Sequence, residues 1–235
     1  SLPRTPLTIV DGAKWPALEH WTHAELLRRH GDADVTVSAL PYARAYAAHE
    51  TRSTLRDYVA RHVERGGVLA ARKSGGGLEY VFDAQILARN SALRADVEPR
   101  PSALNFSSRI EQFYVGPAFS GAHPHFHGDA WNALVYGSKL WVLFPPQDAF
   151  FAATPALKWF MREYPKLKAL QKEARDAARG GAGERSAEAE QRAPRFLECV
   201  QMPGDVVYVP KSWGHATLNL APSVGVAVEF VPTLE

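Results

Sequence analysis

Cysteine is nearly missing from this chain: Cys199 stands alone among 235 residues. That excludes an internal disulfide framework and a cysteine-built metal cluster, and leaves the compartment undecided. Long apolar runs are missing too. No stretch approaches the roughly 18 residues of a membrane span, and no secretory leader is recognisable. Charge of one sign is also scarce, with a net charge of +2 that gives no argument for nucleic acid. What is present is a globular composition, 46% apolar with six Trp and eleven Phe, long enough for one domain with a sizeable core or one domain with an appended lobe.

The stretch Gly121-Ala122-His123-Pro124-His125-Phe126-His127-Gly128-Asp129 organises the rest. In an extended strand the two-residue spacing points the imidazoles of His123, His125 and His127 to one face. Neutral imidazoles suit a divalent transition metal, and an open site needs about three protein ligands. His215, in Trp213-Gly214-His215 after the strand-like run Asp205 to Val209, is the distant donor. The competing reading is a set of solvated or hydrogen-bonded histidines. His20, His23, His30, His49 and His62 show no paired spacing and are expected on the surface or on helix faces.

Along the chain, Leu7 to Gly12 reads as a short strand and turn. Thr22 and Glu25 fit a capping box for a helix ending near Gly31. Val35 to Ser38 alternates as a strand. Thr54 caps a second helix, stopped by Gly66-Gly67, and a turn at Gly75 to Gly77 leads to a strand over Leu78 to Phe82. The segment to about residue 108 looks loop-rich. From Gln112 onwards, seven or eight short strand-like runs separated by Gly and Pro argue for a β-sandwich or barrel. An insertion over about 155–195 interrupts them. It begins with a helix carrying Leu157, Phe160, Met161 and Tyr164 on one side, which Pro165 breaks or restarts. It reads as a surface excursion, with a partner-binding arm as the alternative.

Four phrases carry a family resemblance: Phe113-Tyr114-Val115-Gly116-Pro117, the run Ala130 to Pro146 beginning Ala130-Trp131-Asn132-Ala133-Leu134, Pro203-Gly204-Asp205 to Pro210, and Trp213 to Leu220. In this order they resemble the Jumonji C (JmjC) domain over about residues 113–231, and Trp15-Pro16-Ala17-Leu18 resembles the extension that precedes the core in small JmjC proteins. The resemblance implies a mainly β fold with α, a double-stranded β-helix (cupin-like jelly roll) over 111–235 with the helical insertion, preceded by an α/β extension over 1–110. It implies an Fe(II)- and 2-oxoglutarate-dependent dioxygenase. Lys139 matches the basic residue that holds the distal carboxylate of 2-oxoglutarate. Asn132 matches a polar residue beside the cosubstrate, Asn219 a pocket amide and Tyr114 a further hydrogen-bonding candidate. Trp131, Trp141 and Trp213 are expected in core and rim packing.

The metal motif departs from the family pattern of His-x-Asp/Glu. Here His125-Phe126-His127 takes that place, so the expected ligands are His125, His127 and His215, with Asp129 as an alternative in a His127-Gly128-Asp129 register. This variant is similar to a small JmjC branch that includes a protein of the endoplasmic reticulum lumen; cytoplasm or nucleus is the other expectation. Three neutral ligands leave Fe(II) one unit more positive, a change that weakens oxygen activation, favours Zn(II) or another divalent metal, or abolishes turnover. The expected activity is protein side-chain hydroxylation, ahead of lysine demethylation, on a protein substrate. The alternatives are a catalytically weak JmjC protein acting as a metal-stabilised interaction module and a cupin-type metal protein that does not use 2-oxoglutarate. Substrate identity and oligomeric state are not legible.

Overall fold

The computed structural model describes residues 2–41, 43, 49–64, 78–99, 107–179 and 193–231. The first part supplies β1 (Leu7–Ile9), α1 (Ala17–His20), α2 (His23–His30), β2 (Asp34–Ser38), β3 (Thr51–Thr54) and α3 (Leu55–Tyr58), which runs on into a wider π-helical turn over Val59–Glu64. Then come β4 (Tyr80–Asp83), α4 (Ile86–Arg89), α5 (Ser91–Ala95), β5 (Ser107–Gly116), β6 (Ala130–Tyr136) and β7 (Lys139–Phe144). Two helices, α6 (Ala156–Arg162) and α7 (Tyr164–Arg179), precede β8 (Leu197–Gln201), β9 (Val206–Val209), β10 (Gly214–Asn219) and β11 (Ser223–Val231).

All strand pairs are antiparallel. They form an eight-stranded sheet in the order β1-β9-β6-β11-β5-β4-β2-β3 and a three-stranded sheet in the order β10-β7-β8. This is the expected cupin-like jelly roll. A main-chain bridge between His125 and His215 extends the smaller sheet by one more segment. The turn from β6 to β7 needs Gly137, whose φ of 94° lies where a side chain is strained and whose added Cβ would meet the Pro222 carbonyl at 2.2 Å.

Both faces of the large sheet are covered, which is why β6 reads as a nearly continuous apolar run instead of a clean alternation. Trp131, Ala133 and Val135 of β6, with Val224, Val226 and Val228 of β11, face outwards onto Trp15, Trp21, Leu26, Leu55 and Ile86 from the N-terminal part. Asn132 and Leu134 face inwards. The outer face of the small sheet, Val142, Phe144, Ala216 and Leu218, is sealed by Trp159 and Phe160 of α6. The two inner faces enclose the site.

Local expectations meet the structure unevenly. Thr54 caps α3 as expected, its Oγ1 accepting from the Asp57 amide at 3.1 Å. Thr22 occupies the N-cap of α2 but makes no side-chain cap bond; Glu25 is drawn instead to Arg28 and Arg29 further along the helix. The stretch expected as loop contains α4 and α5. Asp83 Oδ1 accepts from the amides of Gln85 and Ile86 at 2.7 and 2.9 Å, and Asn90 Oδ1 accepts from Leu93 at 2.9 Å. Pro165 does fall at the restart between α6 and α7, but Met161 is 70% exposed and Trp159 takes the buried place on α6. The glycine turns at 66–67 and 75–77 lie outside the described residues.

Of the early histidines, expected on the surface or on helix faces, His30 lies on α2 but is turned inwards. His30 is buried, and its Nε2 lies 3.1 Å from Asp96 Oδ2, while His20 Nδ1 lies 2.7 Å from Asp96 Oδ1. Trp21 Nε1 donates to the same carboxylate at 3.0 Å. Burial opposes the charge on Asp96, but these three hydrogen bonds outweigh it and leave the carboxyl below its ordinary range. Asp96 thus staples α1 and α2 to the chain after α5.

Candidate metal centre

The first ligand segment is not a regular strand. Only residue 125 is bridged, to His215, with main-chain hydrogen bonds of 3.0 and 2.8 Å in the two directions. Strict alternation therefore fails at His123. That ring is fully buried 5.6 Å from the His125 ring and lies outside the cluster, so one face does not carry all three imidazoles. His125, His127 and His215 do converge, with one ring nitrogen of each within 4.8 Å of the others.

The donor set fits a transition metal. Burial pushes His125 down to about 3, helped by the neighbouring imidazole of His127, and holds His215 well below its ordinary value. Neutral imidazole is the ligating form. In each ring Nδ1 faces a main-chain carbonyl: His123 at 2.7 Å for His125, Gly128 at 2.9 Å for His127 and Trp213 at 3.3 Å for His215. With Nδ1–H donating there, Nε2 keeps the lone pair that a metal needs. Asp129, the alternative ligand, is outside the cluster. Its Oδ1 accepts from Tyr208 Oη at 2.6 Å and from the Lys211 amide at 3.2 Å.

The three imidazoles open onto a cavity of about 50 Å³ that Lys139, Asn132, Gln112, Thr217, Trp141 and Tyr80 help to line. Lys139 is 2% exposed. Its Nζ donates to Asn219 Oδ1 at 2.7 Å and lies 4.4 Å from the centre of the Tyr114 ring. Among the described residues no carboxylate pairs with it, and burial pushes it down to about 7. Asn219 is held in turn by Ser120, whose Oγ accepts from Nδ2 at 2.9 Å. Tyr114 does not reach into open space; its hydroxyl donates to Asn132 Oδ1 at 2.8 Å, and burial raises it far above its ordinary value.

Trp131, Trp141 and Trp213 are all buried, although Trp131 and Trp141 also form part of the cavity wall. Sequence reading missed Gln201, which is fully buried on β8. It accepts from Trp141 Nε1 at 2.8 Å and donates to the carbonyls of Asn132 and Asp205, so it ties the two sheets together. Its signal is weak, a glutamine at an inward position of a short strand. Tyr80 was also missed as a cavity residue, because β4 precedes the recognisable core.

Two facing antiparallel sheets with a histidine cluster between them define a cupin-like jelly roll. The family model for the cupin-like domain matches residues 2–230. The chain belongs to this cupin-like JmjC family, whose members are Fe(II)- and 2-oxoglutarate-dependent oxygenases. It is 27% identical over 218 residues to human JmjC domain-containing protein 8, covering 92% of this chain and 71% of that protein. It is 25% identical over 251 residues to the arginine-specific demethylase JMJ22 of Arabidopsis thaliana, covering 97% of this chain and 42% of the relative. A bifunctional arginine demethylase and lysyl-hydroxylase, psr-1 of Caenorhabditis briggsae, is 29% identical over 132 residues, half of this chain and 29% of its own length. Among the described residues no helix is long and apolar enough to cross a membrane.

Proposed function

We propose that this chain is an Fe(II)- and 2-oxoglutarate-dependent oxygenase that hydroxylates a protein side chain. One observation supports the cosubstrate above all: Lys139 is buried in the wall of the histidine-lined cavity with only neutral partners among the described residues. A buried ammonium is costly without a counter-charge, and a dicarboxylate would supply one. His125, His127 and His215 would hold the metal at the other end of the same cavity.

The chemistry that Fe(II) and 2-oxoglutarate supply when bound is oxidation of a C–H bond by oxygen, coupled to decarboxylation of the cosubstrate to succinate. The chain's own part is placement. Lys139 takes the distal carboxylate by charge-assisted hydrogen bonding. Asn219 orients the Lys139 ammonium, Tyr114 and Asn132 form a hydrogen-bonded wall, and Trp141 excludes water. Hydroxylation is preferred over demethylation because the chain has neither a cysteine cluster nor a basic tract to read chromatin. A second reading, a metal-stabilised interaction module or a cupin-type metal protein without 2-oxoglutarate, draws on the absence of a carboxylate from the cluster.

Titration of the metal-loaded chain with 2-oxoglutarate separates these readings. The wild type should bind it, and Lys139→Ala should lose most of that affinity while keeping its metal. A wild type that binds metal but no 2-oxoglutarate leaves the second reading in place. Peptide substrates should then gain one oxygen by mass spectrometry, whereas loss of a methyl group would make the chain a demethylase.

A further inference from the structure

The carboxylate of Asp129 follows His127 by two residues, yet it is turned to the other half of the site. Its Oδ1 accepts from Tyr208 Oη at 2.6 Å and from the Lys211 amide at 3.2 Å. Tyr208 lies on β9, and Lys211 opens the turn that leads to His215. One further bond runs the same way: the Ser212 amide donates to the His127 carbonyl at 2.9 Å, from a residue held at φ 67°. The Phe230 amide of β11 donates to the Asp129 carbonyl at 3.0 Å and holds the strut itself in place. A left-handed φ at a serine costs about 1–2 kcal/mol, so the surrounding bonds must hold it.

From this geometry we infer that Asp129 is a positioning residue: its carboxylate cross-links the segment carrying His125 and His127 to the turn carrying His215, and so sets the spacing of the ligand triad before metal arrives. The inference rests on the reading that the triad binds a metal. One anionic oxygen shared between a hydroxyl and an amide suits the task, since hydrogen bonds to a charged acceptor are the stronger kind. Beside His127, a carboxylate committed elsewhere also leaves the metal site with three imidazoles and, among the described residues, no anionic protein ligand. The same residue type that would be a ligand in the neighbouring register thus acts as a strut.

Co(II) binding to the purified chain tests the assignment, read from visible d–d absorption with chelator competition at a temperature where every variant is folded. Asp129→Ala should weaken Co(II) binding roughly 10–100-fold, the ordinary cost of losing a partner behind a ligand. Asp129→Asn, whose amide oxygen can accept both bonds, should recover most of the affinity, and the band positions should match the wild type in both. Unchanged affinity in Asp129→Ala overturns the inference. Loss in both variants with shifted bands also overturns it, because the carboxylate would then be a ligand. If Asp129→Ala does not fold, Tyr208→Phe, which removes one of the two donors, carries the test: weaker binding supports the strut, and unaltered binding refutes it. A wild type that takes up no Co(II) ends the metal reading itself, whereas wild-type binding with an indifferent Asp129→Ala ends only this inference.

Discussion

Within the run of three histidines, each imidazole has its own surroundings. His125 and His127 contribute to the cluster with His215, while His123 is sealed in the interior and burial pushes it down to about 4. His127→Ala should therefore lower metal affinity by more than the roughly 10–100-fold typical of a partner behind a ligand. His123→Ala should lower the thermal midpoint and leave one metal bound per chain. Metal content after dialysis against a weak chelator checks both, and retention in His127→Ala with loss in His123→Ala would exchange their roles. The motif itself was visible in the sequence, and the family pattern already set His125 and His127 apart from His123; periodicity alone did not, because two-residue spacing assigns faces only where the backbone is a regular strand, and Pro124 lies in a segment that is not one.

At the level of elements, strands were read from sequence better than short helices. β6, β7, β9 and β11 carry long apolar or alternating runs, so their existence follows from burial on one or both faces. α4 and α5 have no such pattern, being four and five residues long, and their start points are chosen by Asp83 and Asn90. Asp96, which staples α1 and α2, makes a prediction in pH. Its folded pKa lies below the ordinary 3.8, so the folded state favours the carboxylate more than the unfolded state does. The stabilisation is fully present above the unfolded value and is lost as pH falls through the lower folded value. Asp96→Asn should cost about 1–3 kcal/mol near neutrality, and the gap to wild type should shrink below about pH 4. Urea midpoints across a pH series measure it, and a gap that stays constant into acid would show that the charge on Asp96 is not what matters.

For the whole molecule, the N-terminal elements share one core with the barrel. The Trp15 and Trp131 rings are 5.9 Å apart, and β2, β3 and β4 extend the same sheet that contains β6 and β11. Trp15 is 4% exposed and its Nε1 donates to the Pro99 carbonyl at 3.0 Å. Trp15→Ala should destabilise the chain by about 3–5 kcal/mol. It should do so in a single transition, with tryptophan fluorescence and far-ultraviolet circular dichroism changing together. Two separated transitions would mean that the N-terminal part and the barrel fold as independent units.

Local periodicity determined a series of short strands in a sandwich or barrel and their order along the chain, while the phrases that resemble the JmjC domain, whose residues lie close together, pointed to the jelly roll and to His125, His127, His215 and Lys139 as the expected site. Tertiary structure alone decided that the His123 ring is sealed in the interior, that Asp129 turns to Tyr208 and Lys211, that Gln201 joins the sheets, and that His20, Trp21 and His30 meet on Asp96. Each of those contacts joins residues from separate segments, and hydrogen bonding and burial between such segments leave no period in the chain for a sequence to display.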